Sequence, residues 1–218
     1  MIKTAMFIII RKFIKRSLES SKSHIKTEHV ISFSDAIFAF SITIVLLSIE
    51  VPHFTNNITE SHFLNELSKL VPSFETYAIS FGIIAIFWIA YHRLFNRISG
   101  SHPILVALNL IFLFFITLIS LFTVLNINYG YLHIVFIIFN IILVLTGSML
   151  TIIWLVAVKT GSVERDVSPS LRKLILLQSI TPSLVFLAAI GISFINIDVA
   201  QYFWLAIIPC RIIISKRT

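Results

Sequence analysis

Six stretches of this 218-residue chain run for about 20 residues with hardly a charge between them. Nothing else in the sequence restricts the fold as severely. At about 1.5 Å per residue, a helix of that length crosses about 30 Å of hydrocarbon. In lipid every backbone N–H and C=O needs an internal partner, so such runs are expected as helices. The short alternating segments of an outer-membrane barrel are missing. The apolar runs place spans at 31–52, 76–92, 104–126, 131–158, 173–196 and 199–213. With 57% hydrophobic and 12% charged residues, no soluble domain of this size could hide its apolar surface. The fold class expected is an all-α membrane protein with six transmembrane helices.

A net charge of +7 would suit a nucleic-acid partner, but the positions of the charges argue against one. Lys3, Arg11, Lys12, Lys15, Arg16, Lys22 and Lys26 precede the first span. Arg93 and Arg97 follow the second, Lys159, Arg165, Arg172 and Lys173 lie around the loop after the fourth, and Arg211, Lys216 and Arg217 end the chain. Lys69 alone falls on the other side, so sixteen of the 17 basic residues share one face of the membrane. This is the positive-inside pattern with an even number of crossings, and it puts both termini in the cytoplasm of a multi-pass cell-membrane protein. Residues 1–28 are expected as a basic N-terminal segment, either an amphipathic helix over Met1 to Arg16 or a disordered tail, and 29–218 as the membrane domain. The lone Cys210 excludes an internal disulfide and a multi-cysteine metal site, and reads as a small packing residue.

The first span is the unusual one. Asp35 lies about a turn inside its start, where a carboxylate is costly unless it is paired or reaches water. Two readings stand: an acid snorkelling to the interface, or a paired acid whose candidate partners are His29, His92 and Arg93. Ser34, Ser41 and Ser48 recur every seven residues and form a small-residue stripe on which another helix can pack closely. About 100° away lie Phe40, Thr43, Ile44 and Leu47, a bulky and mostly apolar face. By itself that face suits lipid or core more readily than a pore.

In the second span Trp88 and His92 are i, i+4 neighbours near the basic boundary, readable as an aromatic belt beside a snorkelling Arg93. Asn109, in the third, is expected to hydrogen-bond across helices. Pro182 is expected to kink the fifth span, and Asn65 to Val71 to form a short helix in the long connection before Pro72. No internal repeat is visible.

Taken in order, Phe33-Ser34-Asp35 opening the first span, Glu50-Val51-Pro52 closing it, Trp88, His92-Arg93-Leu94-Phe95 and Asn109 resemble the prokaryotic relatives of transmembrane protein 175, the lysosomal potassium channel family. The likeness covers most of residues 29–125; beyond that only span count and topology agree. It implies a homotetramer whose first helices line a central cation pore, with Phe33, Ser34, Asp35, Trp88, His92 and Asn109 as a structural signature. The Thr-Val-Gly-Tyr-Gly filter of ordinary potassium channels is absent here, as in that family. The resemblance instead assigns the constriction to Phe40, Ile44 and Leu47, with Thr43 adding a hydroxyl ring, so that the greasy face becomes a dewetting gate. Two positions depart from the family pattern. His29 stands where an arginine is usual, and Phe40 where Ile or Leu is common.

The function expected is a potassium-permeable cation channel, not an enzyme, with no cofactor and no bound metal beyond the permeating K⁺. Its partners would be the bilayer, other copies of itself and monovalent cations. The alternative is a secondary transporter or proton-coupled cation carrier using Asp35 and His92 as a relay, against which the missing repeat speaks. An intramembrane hydrolase built from Ser34, Asp35 and His92 is disfavoured. Adjacent positions on a helix diverge by about 100°, and there is no Gly-x-Ser-x-Gly elbow.

Overall fold

The computed structural model describes residues 26–52, 59–100 and 102–217. The first span is α1 (Thr27–Leu47), followed by a short helix α2 (Glu60–Ser68) and then α3 (Val71–Phe95), α4 (Pro103–Tyr129), α5 (His133–Lys159) and α6 (Pro169–Ser193). The last span is assembled from α7 (Ile197–Tyr202), a 3₁₀ turn (Phe203–Ala206) and α8 (Ile207–Arg217). Among the described residues six helices are long and apolar enough to cross a membrane, as the sequence reading requires. The amphipathic helix expected over Met1 to Arg16 lies outside the described residues.

Proline and capping side chains set several boundaries. Pro72, Pro103 and Pro169 occupy first-turn positions, where a missing N–H costs nothing. Ser168 Oγ accepts from the Leu171 N–H at 3.2 Å, and His102 Nδ1 from the Ile104 N–H at 3.3 Å. The first helix starts four residues before the expected boundary of 31 and stops five before 52. Its polar opening, Thr27-Glu28-His29, remains helical, and Glu50-Val51-Pro52 lies past its end. The short connecting helix also sits earlier than Asn65 to Val71, because Thr59 caps it by accepting from the His62 N–H. Just past its end Lys69 bonds Glu66 at 2.5 Å, and this hydrogen bond holds the Glu66 carboxyl below its ordinary pKa.

Pro182 leaves α6 continuous over Pro169–Ser193. The last span is interrupted where Pro209 lacks an N–H and opposes the Leu205 carbonyl four residues back. The turn just before it tightens to 3₁₀.

The core lies among α3, α4, α5 and α6, with Phe87, Tyr91, Phe112, Leu150 and Trp154 all buried. Phe87 stacks on Phe186 with centroids 6.2 Å apart. α5 and α6 touch where Gly147 faces Ser183. A Cβ on Gly147 would sit 2.6 Å from Ser183 Oγ and 3.1 Å from its backbone nitrogen, so any larger residue would force Ser183 to shift.

At one end the α3–α4 and α5–α6 loops join. Ile98 and Val163 form an antiparallel bridge, Ser99 N–H donates to the Ser162 carbonyl at 2.8 Å, and Glu164 N–H to the Arg97 carbonyl at 3.0 Å. Arg93, Arg97, Lys159, Arg165 and Arg172 thus gather at a single basic end, as the charge pattern requires. At the opposite end His133 Nε2 lies 2.9 Å from Ser193 Oγ, and the Tyr202 hydroxyl donates to Glu75.

Candidate functional site

α1 rests against α3 and α4, and its two faces differ completely in what they touch. The packed face carries Val30, Ser34, Phe38, Ser41 and Val45, spaced by three and four, all buried. Ser34, with no exposed surface, is its hub. Its hydroxyl donates to the Val30 carbonyl at 2.8 Å and accepts from Tyr91 OH at 2.8 Å and from Asn109 Nδ2 at 3.0 Å. One donor and two lone pairs are thereby all used. Three helices are tied through one oxygen atom.

Around that oxygen the aromatic rings are layered. Tyr91 stacks on Phe112 with an interplanar angle of 3° and a centroid distance of 5.7 Å, and Phe38 leans on both. About two turns further along, Ser120 Oγ reaches across from α4 to donate to the Ser41 carbonyl at 2.7 Å. Ser34 and Ser41 of the small-residue stripe both lie buried against the neighbouring helices, with the Ser41 hydroxyl itself unpartnered. Ser48 only bonds back to the Val45 carbonyl, at 2.7 Å.

Asp35 is a paired acid. Trp88 Nε1–H donates to its Oδ1 at 2.8 Å, and His92 Nε2 lies 2.8 Å from the same oxygen. An ionised carboxylate only accepts, so the contact requires a proton on His92 Nε2. Of the three partners proposed from sequence, His92 is the one found; the described contacts of Asp35 include neither His29 nor Arg93. The indole of Trp88, readable as an interfacial belt, is the partner the sequence reading missed. Its ring meets His92 edge-on at 4.6 Å, so the i, i+4 pair acts as one clamp. Asn109 crosses helices as expected, with its Oδ1 buried and unpartnered. Phe33 is half exposed and stands outside this cluster.

The geometry does not assemble a hydrolase. Ser34 Oγ is committed to Tyr91, Asn109 and Val30, while His92 faces Asp35 from the neighbouring helix. A base must reach the nucleophile it activates, and here the two are held by separate partners.

The other face of α1 carries Phe40, Thr43, Ile44 and Leu47. Phe40 is 57% exposed, Ile44 39% and Leu47 84%. Thr43 is exposed too, and its hydroxyl donates to the carbonyls of Ala39 and Phe40 at 3.0 and 3.1 Å. With the proton turned back onto the helix, lone pairs of the oxygen remain free. From Phe40 to Leu47 the stripe climbs about 10 Å.

Comparison with known proteins bears out the resemblance carried by the signature. Residues 29–119 match the family described as Endosomal/lysosomal potassium channel TMEM175. A potassium channel of Chamaesiphon minutus is 32% identical over 77 residues, 35% of this chain and 37% of that one. A potassium channel of Streptomyces collinus is 33% identical over 82 residues, 38% of each chain. These alignments span less than half the length of the curated relatives. The crystal structure of a lysosomal potassium-selective channel TMEM175 homolog from Chamaesiphon minutus superposes with a TM-score of 0.67, covering 87% of this chain and 95% of that one at 22% identity. At that identity the likeness is one of fold, and it extends through all but a minor part of the chain.

Proposed function

We propose that this chain is one subunit of a potassium-permeable cation channel, four copies of which surround a pore lined by α1. The observation that carries the proposal is the division of α1 into two faces. One is fastened to α3 and α4 by Ser34, Asp35 and Ser41, which leaves Phe40, Ile44 and Leu47 projecting from the subunit in a single stripe. Likeness of the first three spans to potassium channels supports reading that stripe as a constriction rather than as a lipid-facing surface.

Under this reading a hydrated cation enters from the basic end and meets rings of Phe40, Thr43, Ile44 and Leu47 in turn. Apolar rings impose a dehydration and wetting cost. The Thr43 oxygens, their protons held by the helix backbone, offset part of that cost with outward lone pairs. Without a carbonyl-lined filter the expected K⁺ over Na⁺ preference is modest. Asp35, His92, Trp88 and Asn109 position the pore helix and do not touch the ion. The protein has no catalytic residues, no resident cofactor and no bound metal besides permeating K⁺. It sits in the cell membrane with residues 29–218 as the channel domain, the basic end and both termini in the cytoplasm. The basic segment 1–28 leads into it.

Liposome flux tests the assignment. Replacing Phe40 with Ala removes the bulkiest ring and should raise K⁺ flux severalfold; unchanged flux would place Phe40 outside the pathway. A coupled carrier working through Asp35 and His92 would instead give saturable uptake driven by a pH gradient.

A further inference from the structure

Between α3 and the last span, at the basic end, a cleft of about 500 Å³ is lined by Arg93, Arg211 and Lys216 at its mouth and by Ile86, Ile89, Ile207, Ile208 and Ile212 along its walls. Gln178 of α6, itself buried, also lines it. Among the described residues three cations line this space and no carboxylate does. Arg211 is the telling one. It is half-buried on an apolar helix, and its Nε is shielded from solvent with no hydrogen-bond acceptor among the described residues. A guanidinium N–H in that position leaves a strong donor unmet, and a second guanidinium on the same cleft adds repulsion.

An anion would resolve both. Apolar walls beneath a cationic mouth suit a molecule that is anionic at one end and hydrocarbon at the other. The last span is the least buried of the six, so the cleft opens at the rim of the subunit, where lipid is at hand. We infer that this cleft binds an anionic phospholipid of the leaflet at the basic end. Its phosphate is gripped by Arg93 and Arg211 with Lys216 above them, and an acyl chain lies along Ile89, Ile208 and Ile212. The site is separate from the α1 stripe and stands whether or not that stripe conducts.

Native mass spectrometry of the purified full chain, titrated with dioleoylphosphatidylglycerol or dioleoylphosphatidylcholine, tests this because the tails are identical. Phosphatidylglycerol should be retained over phosphatidylcholine by about tenfold or more, as two or three cation contacts imply. Arg93→Gln and Arg211→Gln should each reduce that preference. Ile208→Trp, which keeps every cation but fills the cleft from an exposed position, should abolish retention. Inorganic phosphate at millimolar concentration should not displace the lipid. Equal retention of the two lipids, a preference unchanged in both arginine variants, or displacement by phosphate alone would overturn the proposal. So would disulfide linkage of neighbouring subunits through Ile208→Cys in a Cys210→Ser background, since the cleft would then be covered by a second copy.

Discussion

The packed and open faces of α1 invert the arrangement of a soluble protein. Ser34 and Asp35 turn toward the other helices and are satisfied there, and Ser41 turns the same way, its carbonyl bonded by Ser120 and its own hydroxyl buried without a partner, whereas Phe40, Ile44 and Leu47 point away from them. Apolar burial does not hold helices together in lipid, because the lipid tails are equally apolar. Close contact and hydrogen bonds do. On the packed face residue choice therefore answers to the fold, and on the open face it is released for other work. Substitutions on the two faces should consequently separate stability from conduction.

The largest effect is expected from Ser34→Leu, which overfills a site with no exposed surface and strands Tyr91 OH and Asn109 Nδ2. A loss of about 3 kcal/mol or more should appear as aggregation or a collapsed melting temperature in detergent. Normal behaviour there would erase the contrast between the faces. Asp35→Ala comes next. It removes the shared acceptor of Trp88 and His92 and should cost about 2 kcal/mol, damaging assembly on size-exclusion chromatography more than ion selectivity. Intact tetramers with altered selectivity would move Asp35 into the permeation path. Tyr91→Phe deletes one of the three bonds to Ser34 and keeps the ring stack, so a melting shift equivalent to about 1 kcal/mol is expected, with no change in reversal potential. Thr43→Val, on the open face, should leave stability within about 0.5 kcal/mol while shifting the K⁺/Na⁺ reversal potential. A destabilised protein with unchanged selectivity would reverse its role.

Much of this division was legible in the sequence. Span number follows from apolar run length and the basic end from charge placement, both one-dimensional properties that the bilayer reads directly. The stripe of Ser34 and Ser41 and the placing of Trp88 and His92 on one helical face follow from helical periodicity, and the interhelical bond of Asn109 from an amide lying deep in an apolar span. What escaped depends on how helices sit against one another. Tyr91 is one position from His92 and was passed over, yet it supplies the bond that centres the cluster on Ser34. Trp88 resembled a belt residue because an indole at an interface needs no protein partner to be content. Gly147 opposite Ser183 and the bridge between Ile98 and Val163 join segments far apart in the chain, without any periodic trace. Pro209 was hidden inside a run read only for hydropathy, although its effect on the preceding turn was predictable from its missing N–H.

Cysteine scanning on the open face offers the sharpest trial, and the single Cys210 makes a thiol-free background simple to obtain. The full chain carrying Leu47→Cys and Cys210→Ser would be reconstituted in a planar bilayer and its K⁺ current recorded before and after a thiol-reactive organic cation. If α1 stripes from several subunits enclose the conduction path, modification should block the current, and it should act from the side opposite the basic end. A current that persists unchanged, with mass spectrometry showing complete modification, would mean that Leu47 faces lipid and that ions cross elsewhere.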